Sequence, residues 1–444
     1  MKFRNLLLCI AVIYLLSACN NDTPTVVPSP TVETATATIV QPTVEAVQLE
    51  ISWQDVPPCQ ALSKLSSEYS KAEVKVNCFS HIEWYDKTFN DILKPDSNID
   101  LVIMDSQWIG KAVTDNHLVE ITDWVAENIE SSKYVPAAIS AYGEYPYNSK
   151  RYYGVPVFAD TQMLVYRQDI LDQAGFQPPR TWQELLDQAK TLEQKGLIPH
   201  GYATFWCGDC YDDVQTAWNQ IAWSYGGELW EPETYQIEGV LNTPINVEAL
   251  NMAAELYKVG PARSHFQGDL PDMICKGEVA MIATWFGYGP IFTDPTGCPE
   301  ANNLAFGVLP AGPDGHVLSL GGAGIHLSAY SQHQTEALEF MAWLETRDSQ
   351  LKWVELGSFS ARTDVLASST FAEATPYSPA FSASYLLVKD FWNLPEYVNL
   401  LPIQGHYLNL AITGKMDSAE ALNELAKEQQ AIIDQAYPDG PPKK

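Results

Sequence analysis

One carboxylate sits where the surrounding pattern has no use for it. Residues 155–166 form an apolar, β-rich run that reads as a strand covered on both faces, yet Asp160 stands in its middle. An unpaired charge inside such a strand is costly, so Asp160 is expected to face a wet cavity. A second set of polar and aromatic groups follows the apolar run 100–104: Asp105, Ser106, Gln107 and Trp108. A third closes the run 277–285, where Trp285, Phe286 and Tyr288 cluster, and Trp53 and Trp206 add further rings. Carboxylates and amides satisfy hydroxyl groups, and flat rings cover C–H faces. These residue types therefore suit a captured sugar-like molecule, although carboxylates beside aromatic rings equally suit a cation such as a polyamine or betaine. The thirteen tryptophans cannot all serve a site; Trp182, Trp218, Trp223, Trp343 and Trp353 lie on helical patterns and read as packing residues. Catalysis has little support. The chain carries no G-x-S-x-G, H-E-x-x-H, Walker or G-x-G-x-x-G motif, and its eight histidines have no metal-ligand spacing.

Positioning these groups takes alternating strands and helices. Strand patterns at 49–53, 73–79 and 100–104 are separated by helical patterns at 59–69 and 85–93, which is how a parallel α/β sheet begins. Ligands of such sheets bind beyond the carboxyl ends of the strands, which is where Trp53 and the group Asp105–Trp108 fall. After the strand that carries Asp160, a short helix ends at Gly175. Pro178 and Pro179 then stop the chain before a helix at 182–194, for which Thr181 and Glu184 form a capping box. Helices are further expected at 213–225, 246–259, 335–345, 349–356, 408–413 and 418–433, and strands at 277–285, 304–310 and 321–328.

The order of these signals, with Pro178-Pro179-Arg180-Thr181-Trp182-Gln183-Glu184-Leu185, the stretch from Asp100 to Thr122 and Gly277-Glu-Val-Ala-Met, resembles the family 1 extracellular solute-binding proteins of ABC importers. The resemblance covers nearly everything after residue 47 and is weakest at 203–240 and 366–405. It implies a periplasmic-binding-protein-like α/β fold of two discontinuous lobes, 48–158 with 322–366 and 159–321 with 367–444. Hinge strands would join the lobes around a ligand cleft. It also implies a hinge carboxylate at Asp160, a contact loop at Asp105, Gln107 and Trp108, a stacking region at Trp285 and Tyr288, a returning hinge strand containing Gly322, and a cleft-side position for Arg362. The expected function is capture of a mono- or oligosaccharide, without metal or cofactor, by a monomer that hands it to an ABC permease.

The N-terminus carries Lys2 and Arg4, an apolar run at 6–16, and Leu16-Ser17-Ala18-Cys19. This reads as a secretion signal over 1–18 with lipidation at Cys19, followed by a Thr- and Pro-rich tether over 19–47 that is too poor in apolar residues to fold. The lipid would be the only contact with a membrane. The formal charge is −29, and loss of the signal makes it two units more negative, which disfavours nucleic acid as a partner. Six cysteines remain beyond Cys9 and Cys19, an even number for an oxidising compartment. Chain order favours Cys59 with Cys78, Cys207 with Cys210 and Cys275 with Cys298, one of fifteen pairings. The first pair has a geometric basis, because a helix start after one strand and the end of the next both lie at the carboxyl edge of a parallel sheet. Trp206-Cys207-Gly208-Asp209-Cys210 copies the thioredoxin dithiol and raises a redox alternative. The acids Asp209, Asp212 and Asp213 oppose a reactive thiolate there.

Overall fold

The computed structural model of the protein describes residues 47–262 and 265–441; the expected signal, Cys19 and nearly all of the tether lie outside the described residues. Among the described residues nine strands form the framework: β1 (Gln48–Gln54), β2 (Glu73–Phe79), β3 (Leu101–Met104), β4 (Gly154–Arg167), β5 (His200–Ala203), β6 (Val279–Trp285), β7 (Leu304–Gly307), β8 (Leu318–Leu327) and β9 (Val388–Lys389). Their order is β2-β1-β3-β8-β4-β6-β5, with β7 on β4 and β9 on β8. As the alternating pattern requires, β1 is parallel to β2 and β3, and β5 is parallel to β6.

The strand with the misplaced carboxylate is the centre of this arrangement. All fourteen residues of β4 are buried. Its first half, Gly154 to Thr161, pairs antiparallel with β8, and its second half pairs antiparallel with β6 and β7. The handover falls between Thr161 and Gln162, directly after Asp160, which pairs with Gly321. Downstream, the helix Gln168–Ala174 ends at Gly175 with φ 80°, as a left-handed cap should. Thr181 caps the helix Trp182–Gln194, its hydroxyl accepting from the Glu184 N–H at 3.1 Å. The Glu184 carboxylate reaches one residue further back than a capping box would, accepting from the Arg180 N–H at 2.7 Å.

All three expected disulfides are present, with Cα separations of 6.1 Å (Cys59–Cys78), 5.4 Å (Cys207–Cys210) and 4.6 Å (Cys275–Cys298). Cys78 stands opposite Trp53 in the β1–β2 register, at the carboxyl edge of the sheet. Closing that loop of roughly twenty residues contributes about 3 kcal/mol.

Several element boundaries differ from the pattern reading, among them three that bear on the site. The helix expected at 85–93 begins at His81 and finishes in a wider turn, Thr88–Ile92. The strand expected to reach 310 stops at Gly307. The helix expected at 408–413 runs from Tyr397 to Ile412, through Pro402. An internal proline costs about 3 kcal/mol. Here one buried face, Tyr397, Leu400, Leu401, Gln404, Leu408 and Ala411, continues across it, and that packing offsets the lost bond. The tryptophans read as packing residues behave so: Trp182, Trp218, Trp223 and Trp353 are buried and Trp343 is half-buried. Among the described residues no helix is long and apolar enough to cross a membrane.

Candidate functional site

Two groups of polar and aromatic side chains flank the point where β4 changes partners. The first is built on the sheet itself. The Asp160 carboxylate is 7 % exposed and accepts from the N–H of Thr161 at 2.8 Å and of Gly287 at 3.3 Å. Burial pushes its pKa up to about 8, against the smaller opposing pull of these N–H groups. Trp285 lies opposite Gln162 in the β4–β6 register and is half-buried, with its indole stacked on Phe205 at 5.9 Å and 13°. It also lies against bare backbone, since a Cβ on Gly321 would come within 2.5 Å of the indole. Gly322 has φ 120°, and a Cβ there would meet the Phe158 carbonyl oxygen at 2.1 Å, so only glycine lets β8 approach β4 this closely. Tyr288, half-buried, is close enough to Asp160 and Asp213 for both carboxylates to raise its pKa, after desolvation. Asp160, Trp285, Tyr288 and Gly322 therefore come together.

The second group forms around the end of β3. Asp105 caps the turn Ser106–Trp108, accepting from the Ser106 N–H at 2.8 Å. Gln107 is buried, and with its amide nitrogen turned toward Asp105 it donates to that carboxylate. Trp108 is packed against Trp84 at 4.3 Å and Tyr85 at 5.0 Å. Its Nε1–H donates to the Tyr211 hydroxyl at 2.8 Å, and that hydroxyl donates to Asp105 at 3.4 Å. Tyr211 comes from the other half of the chain, immediately after the Cys207–Cys210 disulfide, and holds the left-handed φ of 55° that a tyrosine rarely adopts. Asp212 follows it, and Asp390 follows β9, hydrogen-bonded to Ser106. Desolvation raises the pKa of Asp105 well above the carboxylate range, with Asp212 and Asp390 raising it further. Burial brings Asp212 and Asp390 to about 7 and Asp213, beside them, to about 8. An open cavity of about 710 Å³ adjoins this group, lined by Tyr85, Gly208, Tyr211, Tyr397 and Asn409 among others.

Tyr142 and Tyr385 connect the two groups. Both are fully buried, and each has its phenol pKa raised by desolvation and then by Asp160 and Asp390 among its neighbours. Tyr142, Tyr211, Asp212, Tyr385 and Asp390 were not singled out as contact residues from sequence. The nearest signal lay in 207–213, where the cysteines drew attention to thiol chemistry.

Three expected contact residues lie elsewhere. Trp53 is 1 % exposed and packs on Trp353, of the helix Arg347–Glu355, at 6.3 Å and on Phe158 of β4 at 5.7 Å, because β1 is internal to the sheet. Trp206 is likewise core. The Arg362 guanidinium is engaged by Asp364 at 2.8 and 3.0 Å and the Glu345 carbonyl at 3.0 Å, and it covers the Tyr134 ring at 5.5 Å. Its charge fastens one loop rather than facing Asp160 or Asp105.

A carboxylate at a strand handover, a half-buried indole beside it and the polar-aromatic loop after β3 make up the candidate site. Residues 60–351 match the model of the bacterial extracellular solute-binding proteins. The chain belongs to that family. Its members bind small-molecule solutes and work with ABC permeases outside the cytoplasm; they are not known as enzymes. Among curated relatives, a probable ABC transporter-binding protein of Deinococcus radiodurans is 25 % identical over 277 residues, which is 60 % of this chain and 62 % of that one. The sn-glycerol-3-phosphate-binding periplasmic protein UgpB of Brucella abortus is 24 % identical over 348 residues, covering 71 % of this chain and 74 % of its own. Among solved structures, maltose-bound MalE3 of T. maritima superposes with a TM-score of 0.74 at 22 % identity, over 87 % of this chain and all of the other. The fold is thus the mixed α/β architecture of periplasmic binding proteins.

Proposed function

We propose that this chain captures a carbohydrate in a cleft between two lobes, 48–158 with 322–366 and 159–321 with 367–444, and presents it to an ABC permease. In this reading it acts as a monomer held outside the cell membrane by lipid on Cys19. Asp160 and Gln107 take the hydroxyls, and Trp285 with Tyr288 covers a sugar face. Asp105 and Trp108 close the opposite wall. The observation that carries the reading is the pairing of a buried carboxylate with a half-exposed indole at the β4 handover, one for the edge of a sugar ring and one for its face. A phosphorylated polyol, which the Brucella relative binds by its name, fits poorly. It would meet Asp105, Asp160, Asp212 and Asp390, and among the described residues none of these four forms an ion pair with a basic side chain.

A thermal-shift screen of monosaccharides, oligosaccharides and polyols tests this. A ligand at 100 times its Kd stabilises the folded protein by about 2.7 kcal/mol, so a true ligand raises Tm by several degrees. A screen in which no carbohydrate moves Tm, or in which an organic phosphate does so best, defeats the reading.

A further inference from the structure

We propose that Tyr211 is a clasp between the lobes: it fastens one to the other, and so sets what fraction of the receptor is shut. This rests on the two-lobe division proposed above and on no particular ligand. Tyr211 belongs to the lobe that contains 159–321, and two partners of its hydroxyl belong to the facing segment 48–158. The hydroxyl accepts from the Trp108 Nε1–H at 2.8 Å and donates to Asp105 at 3.4 Å. Trp108 is buried against Trp84 and Tyr85, so the clasp closes on a fixed ring rather than on a loose side chain. Tyr397, from the same lobe as Tyr211, steadies the phenol from behind, hydrogen-bonded to it and with ring centroids 6.3 Å apart.

The backbone under this side chain is shaped for the purpose. Tyr211 has φ 55°, and a tyrosine keeps that left-handed conformation only where its surroundings dictate it; such residues gather at clamps and switches. The Cys207–Cys210 disulfide ends one residue earlier and restricts the loop that presents the ring. Tyr211 is half-buried and also lines the open cavity of about 710 Å³, so the phenol has room to leave Asp105 and Trp108 without displacing packed side chains.

A second contact across the same seam is made by backbone. Gly110, two residues after Trp108 in the helix Ile109–Thr114, lies so close to Asn393 that a Cβ would come 2.0 Å from its carbonyl oxygen. Asn393 is in the segment 367–444, and its side-chain amide donates to the Glu144 carbonyl of the facing lobe at 3.4 Å. Glycine is a poor helix former, and its use at 110 is explained by this close approach of the other lobe. Gly110 lets the lobes meet and Tyr211 holds them there. Closure thus has a contribution from protein–protein contacts that every solute shares, and it raises the apparent affinity for any ligand that requires the closed form.

Hydrogen exchange read by mass spectrometry on the full chain, with no solute added, tests the clasp. Tyr211→Phe keeps the ring and removes the hydroxyl. We expect the amides of 105–114, 207–213 and 390–396 to exchange about tenfold faster, while β1 and the helix Trp182–Gln194 keep the rate of the parent protein. Gly110→Ala, which favours its own helix, should loosen the same three segments by wedging the lobes apart. Loosening by Gly110→Ala alone overturns the clasp and spares the two lobes; no change in either variant overturns both. Faster exchange throughout Tyr211→Phe, β1 included, also overturns the clasp, because Tyr211 would then hold the fold rather than the seam. With no solute present, none of these outcomes bears on the carbohydrate reading.

Discussion

The two halves of the site are made in opposite ways. Around Asp160 the geometry is set by backbone: β4 pairs with β8 and then β6, and Gly321 and Gly322 remove the side chains that would keep Trp285 and β8 away. Around Asp105 it is set by side chains from three distant segments that meet only in the folded protein, with Tyr211 as the arm that spans them. The difference teaches that a contact residue can be fixed by the fold or delivered to it. Damage should read out differently: a change to the backbone of the first as lost stability, and a change to a contact side chain or the arm of the second as lost affinity.

The largest effect should come from Gly322→Ala. With φ 120° and 2.1 Å to the Phe158 oxygen, the added methyl forces β8 off β4, and denaturant unfolding should show a loss of about 3 kcal/mol or more. A fully stable variant would end the claim that backbone sets this half. Asp160→Asn should separate binding from stability within the same half. Ligand affinity should fall about thirtyfold with loss of a charge-assisted bond, while the unliganded Tm at pH 8 holds or rises, because a buried charge has been removed.

The pH dependence applies to both halves together. Asp160 and Asp213 titrate near 8 and Asp212 and Asp390 near 7, above their unfolded values, so the folded state binds more protons than the unfolded one. The contribution of these four groups is fully present below the unfolded value near 4 and is lost as pH rises through 7 and 8. Tm of the unliganded protein should therefore climb by a few degrees as pH is lowered from about 8 to about 6. A flat profile would mean that the carboxylates are not desolvated as described. The smallest effect on affinity belongs to Cys207→Ser with Cys210→Ser. So short a loop contributes no more than about 2 kcal/mol, yet freeing the arm that carries Tyr211 should weaken ligand about tenfold. A double variant that binds normally would mean that Tyr211 holds its place unaided.

The same contrast explains what could be read in advance. The framework was legible because strand and helix periods are local, and the disulfide pairs because chain order favours them, with the parallel sheet edge supporting Cys59–Cys78. Asp160 was legible as a charge that violates its own strand pattern. Asp390 and Asp212 violate nothing locally, since an acid after a short strand or before a helix is an ordinary cap. Their influence on Asp105 exists only through neighbours 100 to 300 positions away. Trp53 and Arg362 show the reverse error. Their residue types suit a cleft, but helix packing over β1 and the anchor to Asp364 decide otherwise.

The half-buried indole of Trp285 gives the molecule an optical property. The other tryptophans are buried, apart from Trp124 and Trp343, which also keep partial solvent contact. Ligand arriving at the β4 handover would change the surroundings of Trp285 while the buried rings emit against a constant background. Binding then becomes visible as a shift in intrinsic fluorescence without any attached dye, and Trp285→Phe supplies the blank.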